Sequence, residues 1–324
     1  MVRSSLEHTP FQGIIMLSKA MPSMAISDFW PAMVRLCTRP TSGKNKFNAL
    51  FLFKLFLSTL FSSTLLSSGL LLSSTAVFAE VIARELPYKA PDGTQLMAYY
   101  AYDDSQPEKK RPGILVVHEW WGQNDYARQR ARELAGLGYA ALALDMYGEG
   151  KSTDDAKQAA LWMHGVMNDP IKSLNRAQLG LGLLVAQPEV DSAKLGAVGY
   201  CFGGKVVLDM ARSGMPLQGV VSVHGNLTPT IPAQPDTVKA RILVLHGGAD
   251  SMVSYADVGA FRKEMAAAKV PYKLIVYPNA KHAFSNPDAD RLAEENHIDI
   301  GYNAAADRRS WAHLRTFFSR IFEE

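Results

Sequence analysis

Six short apolar runs, interleaved with helical patterns, constrain the fold of this chain more than any other feature. They are Ile114–Val117, Ala140–Leu144, Leu195–Val198, Val220–Val223, Ile242–Leu245 and Leu274–Tyr277. Each is too short for a helix and lacks the polar alternation of a strand that is wet on one face. Each therefore reads as a strand covered on both sides. Helical spacing runs over Tyr126–Leu137, Asp154–Met167, Ser173–Val185, Gly204–Arg212, Tyr255–Ala268 and Asn303–Phe322. Strands alternating with helices predict an α/β fold with a doubly wound, mostly parallel sheet. Pro91-Asp-Gly93, between the strand-like Leu86–Ala90 and Leu96–Tyr102, adds an antiparallel hairpin at its start. Ligands of such sheets bind beyond the carboxyl ends of the strands, so candidate chemistry is sought there.

The segment before this pattern has a different character. From Phe47 to Ala79 the chain is mostly Leu, Phe, Ser and Thr, preceded by Arg35, Arg39, Lys44 and Lys46 and ended by Val77-Phe78-Ala79. A basic stretch, an apolar stretch and small residues at the two positions a signal peptidase reads make a secretory signal, with cleavage expected after Ala79. The lead before it is long, so Met33 is a candidate true start. The rival reading is an uncleaved anchor, because Leu55–Ala79 could span a bilayer. The expectation is export, to a bacterial periplasm, with anchoring at the membrane only if the segment stays attached. Met1–Ala79 holds seven of the 34 Lys and Arg but only two of the 31 acids. The remainder is slightly acidic, which argues against a nucleic-acid partner.

Residues 80–324 then form a single domain. At 48% hydrophobic and 20% charged residues, the composition excludes a disordered or collagen-like chain. Of the two cysteines, Cys37 lies in the expected signal. Cys201 is left without an intramolecular partner, and an exported protein keeps a free thiol only where it is buried or used.

Leu195-Gly-Ala-Val-Gly-Tyr-Cys-Phe-Gly-Gly204 carries Cys201 from a strand into a helix through Gly199-x-Cys201-x-Gly203. This is the nucleophile-elbow pattern with Cys in the usual Ser place. A sharp turn there sets the sulfur above the sheet at a helix N-terminus, which favours the thiolate. The bland alternative is a structural cysteine at a tight turn. Past the next strands come Asp250, in His246-Gly-Gly-Ala-Asp250, and His282, in Pro278-Asn-Ala-Lys-His282. Nucleophile, acid, histidine is the chain order of α/β-hydrolases. In that arrangement His282 takes the thiol proton and Asp250 fixes its tautomer.

The first core strand ends in Val117-His118-Glu119-Trp120-Trp121-Gly122. Charged and aromatic residues at that end suit a pocket rim, although lid packing of the tryptophans around a solvated Glu119 is equally compatible. A backbone N–H just past Glu119, with that of Phe202, could form an oxyanion hole.

Taken together, these segments resemble dienelactone hydrolase (carboxymethylenebutenolidase). The resemblance rests on Gly199-Tyr-Cys-Phe-Gly-Gly204, His118-Glu119-Trp-Trp-Gly122, Asp145-Met-Tyr147, His246-Gly-Gly-Ala-Asp250, Ala280-Lys-His-Ala-Phe284, and Gly301-Tyr-Asn-Ala-Ala305 with Trp311 and Phe317-Phe318. It implies an α/β-hydrolase fold, a triad of Cys201, Asp250 and His282, and a Glu119 that contacts the resting thiol and helps deprotonate it. It also implies oxyanion donors at the N–H groups of Trp120 and Phe202.

One part of the family pattern is missing. Members that take carboxylate-bearing lactones hold the carboxylate with two arginines, one past the Asp-x-Tyr strand end and one four residues past the histidine. Here those places read Tyr147-Gly-Glu-Gly-Lys151 and Asn286. Lys151 cannot reproduce bidentate recognition, so a neutral ester or lactone is the expected substrate.

His118, His224 and His246 lack partners at metal-ligand spacing and read as structural or rim residues. No Gly-x-Gly-x-x-Gly follows a strand, so no nucleotide cofactor is expected, nor a metal. Arg128, Arg130, Arg132 and Glu133 read as a solvated helix face, and the methionines as core filler. The expectation is a cofactor-free hydrolase, taken as a monomer. A thioesterase or acyltransferase using the same triad, or an inactive binding protein on the same fold, are the alternatives. A redox-sensing thiol is disfavoured by the lack of a second cysteine.

Overall fold

The computed structural model describes residues 81–323 apart from Pro107, so the expected signal segment lies outside the described residues. The hairpin forms as β1 (Val81–Lys89) and β2 (Gln95–Asp103). There follow β3 (Arg111–Val117), α1 (Asp125–Ala135), β4 (Ala140–Leu144), α2 (Ala156–Met167), α3 (Pro170–Val185), β5 (Val190–Tyr200) and α4 (Phe202–Arg212). The chain continues through β6 (Gly219–Val223), β7 (Arg241–Gly247), α5 (Tyr255–Ala267), β8 (Tyr272–Tyr277), α6 (Ala289–Asn296) and α7 (Ala304–Glu323).

The strands make one eight-stranded sheet in the order β1-β2-β4-β3-β5-β6-β7-β8. The β1/β2 and β2/β4 pairs are antiparallel and every pair from β4/β3 onward is parallel. Both faces are covered, which is why the central strands are apolar throughout. Ile114 and Val116 pack with Tyr126 and Leu134 of α1 and with Leu314, Phe318 and Phe322 of α7. Leu115 and Val117, pointing the other way along the same strand, pack with Leu181 of α3, Val207 of α4 and Phe261 of α5.

The side of the sheet on which successive strands are added switches at β3, whose neighbours are β4 and β5. Val117 pairs with Gly199 there, so the segment after β3 and the segment after β5 leave the sheet side by side. A crevice at such a switch point is where ligands of open α/β sheets sit. Most helices start on side-chain caps: Asn124 for α1, Asp155 for α2, Asp169 ahead of Pro170 for α3, and a Ser254/Asp257 capping box for α5. Helix α4 is different. Its N-cap residue is Cys201, with no side-chain cap.

Candidate active site

The glycines around Cys201 are required by contact. A Cβ on Gly199 would lie 2.0 Å from the Gly203 carbonyl oxygen, and one on Gly203 would lie 2.2 Å from that of Val117. Only a chain without side chains at both places can turn this sharply from β5 into α4. Cys201 itself takes φ 52° and ψ −114°, a strained conformation for a residue with a side chain. The turn is held by the Gly203 amide donating to the His118 carbonyl (3.1 Å) and the Cys201 amide to that of Val223 (3.1 Å). No side chain caps α4, and Phe202, its first residue, lines the crevice.

His282 follows β8, and its Nδ1 lies 2.9 Å from Oδ2 of Asp250, which follows β7. The other oxygen of Asp250 accepts from the amides of Met252 and Val253, both at 2.9 Å. The carboxylate is thus fixed in orientation and out of contact with solvent. Burial alone would drive the His282 ring toward its neutral form, but the Cys201 thiol and the Asp250 carboxylate outweigh it. The ring's pKa lies well above 6.5. Cys201 and His282 line the same cavity of about 320 Å³, together with Glu119, Trp120 and Phe202.

Glu119 is not solvated; it is 1% exposed. Its Oε2 accepts from the Asn286 amide nitrogen at 2.6 Å, while Oε1 has no partner. Burial raises this carboxyl to about 7, the largest influence, against the Asn286 hydrogen bond and the nearby His282 and Arg130, which favour its charge. The turn after β3 is anchored on both sides. The Glu119 carbonyl accepts from His118 Nδ1 and from the Gly122 amide, and the Trp120 carbonyl from the Tyr147 hydroxyl at 3.1 Å. No acceptor takes the Trp120 N–H among the described residues.

The rest of the wall is mainly apolar, with Trp121, Met163, Met167, Met252, Val253 and Ile300, while His164, Lys205 and Asn226 add polar groups. Met163 and Met167 pack against the core as well as lining the cavity, while Met252 belongs to the lining alone. Lys151 is not part of the wall; its ammonium sits 3.3 Å from Glu149. Asn286 is turned to Glu119 and is likewise not part of the wall. Lys205 reaches the cavity, but its ammonium is committed to Asp209, Thr230 and the Thr228 carbonyl. Among the described residues no three His, Cys, Asp or Glu side chains converge as metal ligands.

Several other residues fall differently from the sequence reading. Arg130 is not on a solvated face. It is four residues from both Tyr126 and Leu134, in the buried stripe of α1, and its guanidinium binds Glu133, Asp307 and the Ser285 carbonyl at 2.6–2.8 Å. His118, His224 and His246, by contrast, match the structural side of the structural-or-rim reading, since all are buried and none lines the cavity. Asp145, noted only as part of a motif, accepts from the amides of Met97, Tyr147, Gly148 and Gly150 and so shapes the loop after β4.

A mostly parallel sheet in this order, a sharp strand-to-helix turn after β5 and a His–Asp pair after the last two strands define an α/β-hydrolase. Residues 96–322 match the model of the dienelactone hydrolase family. The chain belongs to that family. Among solved structures, it is 36% identical to a dienelactone hydrolase-like promiscuous phosphotriesterase from metagenomic libraries, with a TM-score of 0.70, covering 75% of this chain and 99% of that one. A structure titled m3DLH matches equally well, at 38% identity and TM-score 0.70, with the same coverage. A protein of Escherichia coli (strain K12), provisionally named a carboxymethylenebutenolidase, is 27% identical over 237 residues, which is 70% of this chain and 83% of that protein. The protein is accordingly a carboxylic ester or lactone hydrolase acting on a small molecule.

Proposed function

We propose that Cys201 is the nucleophile of a Cys201–His282–Asp250 triad that cleaves neutral esters or lactones through an acyl-enzyme. The observation that carries this reading is the 2.9 Å His282–Asp250 contact behind a cavity that Cys201 and His282 share. The thiol proton passes to His282 and the sulfur attacks the carbonyl carbon. The C–O bond breaks as the alkoxide takes the proton from His282. Water, deprotonated by His282, then attacks the thioester and releases the acid with the thiol restored. The developing oxyanion is stabilised by the N–H groups of Trp120 and Phe202, whose hydrogens are otherwise unused. Glu119, buried in the same cavity, is the second proton acceptor available to the thiol.

The substrate is neutral and apolar near the scissile bond. No Lys or Arg on the cavity wall is free to hold a carboxylate, since Lys205 is committed elsewhere and Asn286 stands where a family arginine is expected; His164 is the one wall side chain besides His282 that could carry a positive charge. The similarity to a promiscuous phosphotriesterase makes neutral phosphotriesters a second group to assay. We infer further that residues 1–79 direct export and are removed, leaving 80–324 as one periplasmic domain; among the described residues no helix is long and apolar enough to cross a membrane. N-terminal sequencing of secreted protein tests that part. The catalytic part is tested by hydrolysis of a panel of neutral and carboxylate-bearing esters and lactones by the wild type, Cys201→Ala and His282→Ala. Losses of about 10³-fold or more in both variants support the triad, and an active Cys201→Ala refutes it.

A further inference from the structure

Behind the Cys201–His282 pair lies a second histidine that the triad does not use. His224 follows β6, is fully buried and takes φ 39°, a left-handed backbone that persists only when the surroundings impose it. Two side-chain contacts do so. Nδ1 is 3.1 Å from the backbone nitrogen of Cys201, and Nε2 is 2.8 Å from Oγ of Ser285. An amide N–H can only donate, so Nδ1 is the acceptor and the ring proton sits on Nε2, donated to Ser285. The Ser285 hydroxyl also shares a hydrogen bond with the Tyr126 hydroxyl at 2.7 Å. Burial keeps the ring neutral, its pKa well below 6.5, with His282, Arg130 and His246 acting in the same direction. The ring stands edge-on to His282, with centroids 5.4 Å apart at 62°.

Ser285 lies three residues past His282 on the same loop. His224 is therefore a single side chain with one nitrogen on the backbone of Cys201 and the other on the loop that carries His282. We propose that His224 is a positioning residue that ties these two segments together and sets the alignment of the Cys201 thiol with the His282 ring. This rests on the reading of those two residues as nucleophile and base. Each segment has its own second anchor, because the Cys201 amide also faces the Val223 carbonyl and Ser285 also meets Tyr126. Losing His224 therefore removes the link between the segments while leaving each one held.

The test measures iodoacetamide alkylation of Cys201 at pH 7 together with kcat and KM for a neutral ester. The proteins are wild type, His282→Ala, His224→Phe, His224→Asn, His224→Gln, Ser285→Ala and the His224→Asn/Ser285→Ala double variant. If the wild type is alkylated no faster than His282→Ala, the nucleophile–base reading fails and the proposal falls with it. If it is faster, His224→Phe, which loses both links, is expected to fall about 10- to 30-fold in alkylation rate and in kcat with KM within about twofold. Asn can keep the acceptor at the Nδ1 position and Gln the donor at Nε2, so each restores part of what Phe loses, leaving about a fivefold deficit. Ser285→Ala is expected to match His224→Asn, and the double variant to lose no more than either alone, because both cut the same link. Wild-type alkylation and kcat in His224→Phe would overturn the proposal, as would losses in His224→Asn and Ser285→Ala that multiply. Should His224→Phe fail to fold, the Asn and Ser285 variants decide the matter by themselves.

Discussion

Replacing Glu119 by Gln should make the protein more stable at alkaline pH while making it a poorer enzyme. Glu119 is 1% exposed, one oxygen has no partner, and burial lifts its carboxyl from 4.5 to about 7. A carboxyl that holds its proton more tightly in the fold than in the unfolded chain favours folding only while it is protonated. That contribution is fully present below pH 4.5 and is lost as the pH rises through 7. The gap between 4.5 and about 7, at 1.36 kcal/mol per pH unit, amounts to about 3 kcal/mol. Glutamine has the same shape, keeps an acceptor for the Asn286 amide and cannot ionise. Urea unfolding at pH 4.5, 6 and 8 should therefore show the stability of Glu119→Gln, measured relative to wild type, rising by about 3 kcal/mol across the series. Whatever offset exists at pH 4.5 reports the altered contacts and cancels in the difference. An offset that does not change with pH would refute the reasoning, since it would mean that Glu119 is not held in the raised state its burial implies. Activity should move the opposite way, the trade expected where a destabilising group is kept for its chemistry.

Other expectations concern the frame of the site. Asp250→Asn should leave the fold intact but lower kcat by about 10²- to 10⁴-fold, because the amide can present its NH₂ to His282 Nδ1 and impose the wrong tautomer; steady-state kinetics beside a circular dichroism melt separates the two effects. Gly203→Ala should abolish activity, since its Cβ would meet the Val117 carbonyl at 2.2 Å, and thermal denaturation should show a destabilised protein. Arg130→Met should destabilise by about 3–5 kcal/mol in urea titration, leaving Asp307 and the buried Ser285 carbonyl without their partner. Lys151→Ala should change kcat/KM for neutral esters by less than about twofold, because that side chain pairs with Glu149 away from the cavity wall.

The fold could be read from the sequence because a sheet covered on both faces writes itself as unbroken apolar runs. Ala140–Leu144 matches β4 to the residue, and two-sided burial gives the mostly parallel character of the sheet but not the order of its strands. Helix α6 went unseen because only Ala289 and Leu292 of its eight residues are buried, too weak a period to register. Arg130 was misread because charge suggests a wet face, although its place four residues from Tyr126 and Leu134 put it in the buried stripe. At the site, Cys201, Asp250 and His282 announce themselves by falling at strand ends, those of β5, β7 and β8. Asn286, Ser285 and His224 do not, since each acts through a partner distant in the chain: Glu119 for the first, Tyr126 and His224 for the second, Cys201 for the third. Contacts of that kind leave no local pattern. The sequence comparison drew attention to Asn286 only as a missing arginine, and the structure shows what the amide does in its place.

The central claim, that Cys201 carries the acyl group during turnover, is tested most directly by mass spectrometry of enzyme quenched while hydrolysing a neutral p-nitrophenyl ester. The account predicts an increment of one acyl group on the peptide containing Cys201, absent in Cys201→Ala and accumulating when His282 is replaced by a weaker base. Steady hydrolysis with no adduct on that peptide, and with Cys201→Ala as active as the wild type, would contradict it.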